Sequence, residues 1–321
     1  MSNNDTPVID YSFIVIAYNE EHFIGSCLAS IVSLEGLDSY EVVVINDGST
    51  DSTAAVVEEF VRLHPRVRLV NQVNQGRGAA RANGLREASG RLIAMVDGDL
   101  ALGADWLTRC QSEIDAGADV VGGVMVPEGD VTWLHSMYHL DPRPIPLEVG
   151  ITGGNGLYRG EVIKDIGFDP EMRTAEDIVF RHKLADKGYR AKLLADLICV
   201  HQEDKGFLGT VKWMIESGIS ATHQLRRFRP LRFPDYSFIG WLALTMVALF
   251  WAGWLVALIV TVAWIFVVAS GHVYHRFFLH WRPGYLLRFA LACVTNITVI
   301  APYFVGRLIG FFTANQIPEW K

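Results

Sequence analysis

Two patterns of hydrophobic and polar positions divide the chain. In the first two thirds, short β-rich apolar runs alternate with segments of helical periodicity. The predicted strands and helices, in chain order, are Phe13–Ala17, Glu21–Ser33, Val42–Asn46, Ser52–Arg62, Val67–Val70, Arg77–Ala88, Leu92–Val96 and Ala104–Ala116. Such alternation is typical of a parallel sheet covered by helices. We therefore expect an α/β fold with ligands bound beyond the carboxyl ends of the strands.

The last third carries a long uncharged stretch. Between Asp235 and Arg276 lie 40 residues without Asp, Glu, Lys or Arg, whereas one membrane span needs about 20 residues. Basic residues flank the stretch on both sides, and basic loops stay in the cytoplasm. The pattern predicts a transmembrane helical hairpin over about 237–271 and a third span over about 286–312, surrounded by membrane lipids. A buried hairpin in a globular core is the alternative.

Charge and composition follow the same division. Residues 236–321 contain five Lys or Arg and one Asp or Glu and so carry a charge of +4, whereas the preceding 235 residues carry −11 of the formal net charge of −7. No basic face is evident, which argues against nucleic acid as a partner. The four Cys show no Cys-x-x-Cys spacing, which argues against a zinc site or a disulfide framework. The polar N-terminus lacks a signal-peptide pattern. We expect a multi-pass cell-membrane protein with its α/β domain (1–205) in the cytoplasm, an amphipathic juxtamembrane linker (206–235) and a transmembrane region (236–321).

Two carboxylates stand at the predicted ligand-binding edge. Asp97-Gly98-Asp99 follows the apolar strand Leu92–Val96 directly. Carboxylates at a strand end can bind Mg²⁺ or Mn²⁺ together with diphosphate oxygens, and Gly98 allows a close approach of phosphate. Surface turns often contain Asp-x-Asp, so this motif alone does not establish a metal site.

Two other segments reach the same edge. Asp47 ends the second strand, where its carboxylate can accept from a nucleobase N–H or a ribose hydroxyl. The segment Asn74–Arg81 is rich in Gly and Arg and opens a helix, whose N-terminus favours anions. We expect Arg77 to lie beside the ligand, and Arg81 to meet either a phosphate or the Asp97 carboxylate.

As an ordered set, these segments resemble the family 2 glycosyltransferases, which have the Rossmann-like, nucleotide-sugar-binding GT-A fold. The resemblance covers roughly residues 10–205 and rests on five motifs: Ile14–Glu21, Asn46–Asp51, Asp97–Asp99, Thr152–Arg159 and Glu176-Asp177. It implies an inverting transfer of a sugar from a nucleotide-diphosphate sugar, with Mg²⁺ or Mn²⁺ as cofactor.

The resemblance also implies roles for single residues. The residues it implies for nucleotide-sugar binding are Ala17, Tyr18, Glu20, Asp47, Gly76, Arg77, Arg81, Asp97 and Gly98. It implies that Asp97, Asp99 and His201 bind the metal, and that Gly154 and Asn155 contact the acceptor. It implies that Asp177 and Glu176 are catalytic. An inverting transfer needs the acceptor hydroxyl deprotonated as it attacks, which a nearby carboxylate such as Asp177 can do. The alternatives are that both acids only stabilise the N-terminus of a helix and that His201 is structural.

Sequence features limit the chemical class of the acceptor. Residues 209–213 lack the Gln-x-x-Arg-Trp motif of processive family members, so we expect transfer of a single sugar. A domain beside a membrane, with a general base, predicts a hydroxyl of a lipid-linked saccharide as the acceptor. One alternative is a polyprenyl phosphate, as in enzymes similar to dolichol-phosphate mannose synthase, because an ionised phosphate needs no base. A non-catalytic membrane scaffold is the remote alternative.

Overall fold

The computed structural model describes residues 9–128, 153–173, 176–202, 207–227, 233–277 and 300–313. The chain divides into two compact units. One comprises Met1–Asp130 with Arg143–Glu203, and the other comprises Val131–Pro142 with Asp204–Lys321. The domain boundaries expected from the sequence remain a prediction.

The first unit is built on a mixed sheet. Its strands are β1 (Tyr11–Ala17), β2 (Tyr40–Asp47), β3 (Val67–Gln72), β4 (Leu92–Asp97), β5 (Leu100–Ala101), β6 (Val120–Glu128), β7 (Asn155–Arg159) and β8 (Ala191–Gln202). Their spatial order is β3-β2-β1-β4-β7-β6-β8-β5. Strands β1 to β4 are mutually parallel, whereas β7 runs antiparallel to both β4 and β6. The parallel half brings the carboxyl ends of β2, β1 and β4 side by side.

Helices cover the sheet. They are α1 (Ile24–Val32), α2 (Thr53–Leu63), α3 (Arg77–Glu87), α4 (Trp106–Asp115), α5 (Gly160–Ile166) and α6 (Glu176–Asp186). The predicted α/β fold is confirmed, and each strand and helix expected between residues 13 and 116 is present within a few residues of its predicted bounds.

Strand β1 shows why the sheet is buried on both faces. Successive side chains of a strand point to opposite faces, and all seven residues of β1 are buried. Phe13 and Val15 belong to one hydrophobic cluster, whereas Ile14 and Ile16 belong to another. An uninterrupted apolar run is the sequence signature of such a strand, packed between two helical layers.

The second unit is helical. It contains α7 (Phe207–Arg227), α8 (Phe233–Ala252), α9 (Trp254–Phe277) and α10, which spans residues 300–312. Helices α7 and α10 pack closely because glycines stand at their contact. A Cβ at Gly218 would collide with the Tyr303 carbonyl, and one at Gly306 would collide with the Ile215 carbonyl. The hydroxyl of Thr222 donates to the backbone oxygen of Arg307 at 3.0 Å.

The uncharged stretch forms a helical hairpin that turns at Gly253, where φ is 81°. Across the described ranges, no helix is both long and apolar enough to span a membrane. The predicted multi-pass localisation and transmembrane region are therefore wrong. The predicted third span, 286–312, begins outside the described residues.

Candidate active site

The Asp47 carboxylate holds together the turn that follows β3. Asp47 ends β2 and is 5% exposed. Its oxygens accept hydrogen bonds from the Gln72 side chain at 2.7 Å and from the backbone N–H groups of Gln75 and Gly76 at 2.9 and 2.8 Å. Burial raises the pKa of Asp47, and these hydrogen bonds offset only part of that effect. Asp47 therefore fixes the glycine-rich turn from which α3 starts.

The N-terminus of α3 is bound by the chain itself. The N–H of Arg77 donates to the Arg173 carbonyl and that of Gly78 to the Met172 carbonyl, both at 3.0 Å. Gly76 has a φ of 91°, and a Cβ there would lie 2.6 Å from the Arg173 Cα. These N–H groups therefore anchor the segment that leads to α6. The sequence assigned this N-terminus to an anion, but the protein carbonyls already accept its first N–H groups.

Arg81 joins three parts of the site. Its side chain is 2% exposed. Its Nε donates to Glu176 Oε1 at 3.0 Å, one terminal nitrogen donates to Asp97 Oδ1 at 2.8 Å, and the other donates to the Gly153 carbonyl. Of the two partners the sequence left open for Arg81, phosphate or Asp97, the geometry shows the carboxylate and adds Glu176.

Asp97 ends β4 and lies tightly against Gly154. The Asp97 N–H donates to the Gly154 carbonyl at 3.0 Å, and a Cβ on Gly154 would collide with the Asp97 carboxylate. Burial opposes ionisation of Asp97, but the charges of Arg81, Arg77 and His201 and the Arg81 hydrogen bond together outweigh burial and lower the pKa of Asp97. Asp97 is thus an ionised group, and Gly154, expected on the acceptor side, is required for the placement of Asp97.

Asp99 and His201 form the pair best suited to a cation. Their side chains meet at 3.1 Å, between Asp99 Oδ2 and His201 Nε2. The Asp99 Oδ1 is buried without a hydrogen-bond partner in the described part of the chain. Strand pairing explains the meeting, because Leu100 of β5 lies opposite His201 of β8. Among the described residues, no group of three or more His, Cys, Asp or Glu is arranged to hold a metal.

Glu176 and Asp177 open α6 and differ in environment. Glu176 is 3% exposed, and its Oε2 has no hydrogen-bond partner among the described residues. Burial raises the pKa of Glu176, and the neighbouring charge of Asp177 adds to this effect, against the opposing charge of Arg81. Asp177 is only half-buried. Of the two acids, Asp177 is therefore the one that an incoming molecule can reach.

Asn155, expected to contact the acceptor, lies in the core. It is 1% exposed. Its Oδ1 accepts from the Trp106 indole N–H at 3.1 Å and from the Cys199 thiol at 3.4 Å, and its Nδ2 donates to the Gly123 carbonyl at 2.9 Å. The side-chain amide ties α4, β6, β7 and β8 together. The geometry does not support direct contact of this side chain with an acceptor, because it is buried and hydrogen-bonded within the protein.

The remaining predicted residues line the loops after β1 and β4. Ala17 is buried at the end of β1, whereas Tyr18 is 47% exposed beside it. The Glu20 N–H donates to the Thr53 hydroxyl at 2.7 Å, which links this loop to α2. The Gly98 N–H donates to the Ile16 carbonyl at 2.9 Å and so holds the Asp97–Asp99 turn against β1.

Asn19 has a structural role that the sequence reasoning missed. Its φ is 57°, and it is the one described non-glycine residue with positive φ. Its Oδ1 accepts from the Thr50 N–H at 2.8 Å, and its N–H donates to the Ser49 hydroxyl at 3.0 Å. Asn tolerates the left-handed region better than most residues, which was the available signal. Asn19 thereby joins the loops after β1 and β2.

A family model and several relatives match the chain. Residues 12–167 match the glycosyl transferase family 2 model. The glycosyltransferase AglE of Haloferax volcanii is 29% identical over 205 residues, covering 59% of this chain and 66% of that protein. The dolichyl-phosphate β-glucosyltransferase ALG5C of Trichomonas vaginalis is 40% identical over 111 residues, covering 32% of this chain and 33% of that protein. The chain spans from about an eighth to two thirds of the length of the curated relatives it matches.

Solved structures share the fold. The mannosyltransferase PcManGT of Pyrobaculum calidifontis, solved with GDP-Man and Mn²⁺, has a TM-score of 0.60. The two sequences are 22% identical, and the superposition covers 97% of this chain and 90% of the mannosyltransferase chain. At this level of identity, the likeness establishes the GT-A fold and leaves the ligands to other evidence.

Proposed function

We propose that this chain, whose residues 12–167 match the glycosyl transferase family 2 model, is a metal-dependent, inverting glycosyltransferase. It moves one sugar from a nucleotide-diphosphate sugar to a hydroxyl of a lipid-linked saccharide. In this proposal Asp97 and Asp99 lie beside the donor diphosphate, Asp47 and the loops after β1 and β3 lie on the nucleotide side, and Asp177 is the general base.

The observation that carries the proposal is the network around Arg81. It brings Asp97, which ends β4, and Glu176, the first residue of α6, to one guanidinium, through contacts of 2.8 Å to Asp97 and 3.0 Å to Glu176. A sugar held by its diphosphate near Asp97 and Asp99 would then lie next to the segment that bears Asp177. Transfer requires the donor sugar and the base to lie next to each other, because the base must reach the hydroxyl that attacks the sugar.

Asp99 fits a divalent cation better than Asp97 does. One Asp99 oxygen is buried without a hydrogen-bond partner in the described residues, and the other lies beside His201. By contrast, Arg81 and Gly154 surround the Asp97 carboxylate. Mg²⁺ often takes one or two protein carboxylates and fills its other positions with phosphate oxygens and water, so a small protein donor set is sufficient. When bound, the metal would stabilise the charge that develops on the leaving diphosphate.

The two acids of α6 divide the work. Glu176 is buried against Arg81, and we assign it to orientation rather than to proton transfer. Asp177 is half-buried, and we assign proton transfer to it. Its carboxylate accepts the proton of the acceptor hydroxyl as the oxygen attacks the anomeric carbon. Attack from the face opposite the leaving diphosphate inverts the anomeric configuration.

A second candidate acceptor is a polyprenyl phosphate. The 40% identity to a dolichyl-phosphate β-glucosyltransferase favours it, although the match covers 33% of that protein. The two acceptors give different products, because transfer to phosphate forms an acid-labile sugar phosphate and transfer to a hydroxyl forms an acid-stable glycosidic bond. Incubation with both acceptor types and a labelled donor, followed by mild acid, separates them.

A thermal-shift screen tests the donor assignment. Ligands that bind the folded state raise the melting temperature, so one nucleotide-sugar among a panel including GDP-mannose and UDP-N-acetylglucosamine should raise it in the presence of Mn²⁺. Addition of EDTA should remove the shift. A panel without any stabilising nucleotide-sugar would contradict the proposal, and a shift that survives EDTA would contradict its metal dependence.

A further inference from the structure

The Arg81 guanidinium is placed to hold other side chains rather than a ligand. It is 2% exposed, and its three nitrogens each donate to a different partner: Glu176, Asp97 and the Gly153 carbonyl. The Phe168 ring lies 5.6 Å from its central carbon. A side chain so enclosed has little surface left with which to contact a diphosphate.

The three partners of Arg81 belong to segments that are distant in the sequence. Asp97 ends β4, Gly153 precedes β7, and Glu176 is the first residue of α6. Arg81 itself lies in the first half of α3, where its neighbours Ala79 and Ala80 are also buried. The planar guanidinium thus donates to all three segments at once. The geometry of Arg suits such contacts, and that of Lys does not.

We propose that Arg81 is a positioning residue. Through Glu176 it fixes the first turn of α6, and with it Asp177, relative to Asp97 at the end of β4. The inference rests on the proposed function, in which Asp177 is the base. It differs from the role that the resemblance implied for Arg81, namely contact with the nucleotide-sugar.

Glu176→Gln is the deciding variant, because it keeps the size of the side chain and a carbonyl that accepts from Arg81, but removes the charge. The readout is release of nucleoside diphosphate from the nucleotide-sugar chosen by the thermal-shift screen, with Mn²⁺. We expect kcat to fall by about 100-fold, the loss that a misplacement of about 1 Å can cause, while the donor KM changes less than about threefold. Arg81→Lys should show the same division between kcat and KM.

A double variant tests whether the two residues act as one unit. Substitutions at contacting residues give non-additive effects, whereas substitutions at independent sites give additive ones. The double variant Arg81→Lys with Glu176→Gln should therefore lose no more activity than the less active of the two single variants. Arg86→Lys, at the exposed end of the same helix, is the matched control and should leave kcat unchanged. Amide hydrogen exchange in the first turn of α6 should be faster in both single variants, with or without turnover.

Each outcome has a distinct meaning. Unchanged kcat in Glu176→Gln, or additive losses in the double variant, would overturn the positioning role. A large rise in donor KM with unchanged kcat in Arg81→Lys would make Arg81 a donor ligand. A wild-type protein without nucleoside diphosphate release would contradict the proposed function instead, and unaltered exchange in α6 would then still overturn the positioning role.

Discussion

Single carboxylates in this site are distinguished by what surrounds them. Asp97 is held by Arg81 and Gly154, Glu176 is buried against the same guanidinium, and Asp99 keeps one buried oxygen without a hydrogen-bond partner in the described residues. Composition and spacing cannot rank these acids, because all are Asp or Glu near a strand end or a helix start. In our proposal, these contacts distinguish Asp97, which is held in place beside the donor, from Glu176, which orients α6, and from Asp99, which binds the cation.

Asp99→Ala tests the cation assignment at the residue scale. Removal of the carboxylate should abolish the part of donor binding that depends on Mn²⁺, because the phosphates then lose the protein anchor of their metal. Calorimetric titration of the nucleotide with and without Mn²⁺ measures this difference. Asp38→Ala changes an exposed acid away from the site and should bind as the wild type does. Equal Mn²⁺-dependent affinity in Asp99→Ala would remove Asp99 from the metal site.

The elements of the first unit were largely predictable from the sequence. Buried parallel strands read as short apolar runs, and Leu92–Val96 lies within one residue of the observed β4 (Leu92–Asp97). The set of acids at the strand ends was also predictable, since parallel strands bring their carboxyl ends to one edge. The insertion of antiparallel β7 between β4 and β6 was not, because pairing over some 60 residues leaves no local signal.

Other parts of the site were hidden from sequence reasoning for a physical reason. The N-terminus of α3 looked like an anion site, but Met172 and Arg173 supply its acceptors. Asn155 lay in a motif of small and polar residues, yet its amide is buried in the core. In both places the structure differs from the expectation through tertiary contacts between distant segments. The uncharged stretch misled in a different way, because its apolar residues indicated a membrane span that no described helix provides.

The turn before α3 permits a matched test at the element scale. Gly76 and Gly188 both have positive φ, but a Cβ on Gly76 would meet the Arg173 backbone at 2.6 Å, whereas a Cβ on Gly188 would meet no heavy atom within 4 Å. Gly76→Ala should therefore cost about 2 kcal/mol more unfolding free energy than Gly188→Ala, the usual scale of overpacking. Urea denaturation of both variants measures the difference. Equal losses would show that the segment before α6 does not press on this turn.

At the scale of the whole molecule, the two units are stabilised by different kinds of packing. The first is a sheet buried between helices, and the second depends on close approach of α7 and α10 at glycines. Gly306→Ala should loosen that contact, because the added methyl would collide with the Ile215 carbonyl. We expect a loss of about 1–3 kcal/mol and faster amide exchange in α7.

Gly25→Ala is the control for this substitution. It adds a methyl group to helix α1, where the nearest heavy atom would be Val56 Cγ1 at an ordinary 3.7 Å. Since Ala favours the helix over Gly, this variant should be as stable as the wild type or slightly more stable. A Gly306→Ala protein with unchanged stability and unchanged exchange in α7 would show that the helices do not need this close approach.

The central claim is that Asp177 acts as the base of a sugar transfer, and one comparison tests it most directly. Nucleoside diphosphate release from the nucleotide-sugar is measured for the wild type, for Asp177→Asn and for Asp186→Asn, which alters an exposed acid at the other end of α6. We predict that Asp177→Asn loses about 10²- to 10⁴-fold in kcat, the range of general base catalysis, with donor affinity within about threefold. Asp186→Asn should match the wild type. Retained turnover in Asp177→Asn would contradict the account.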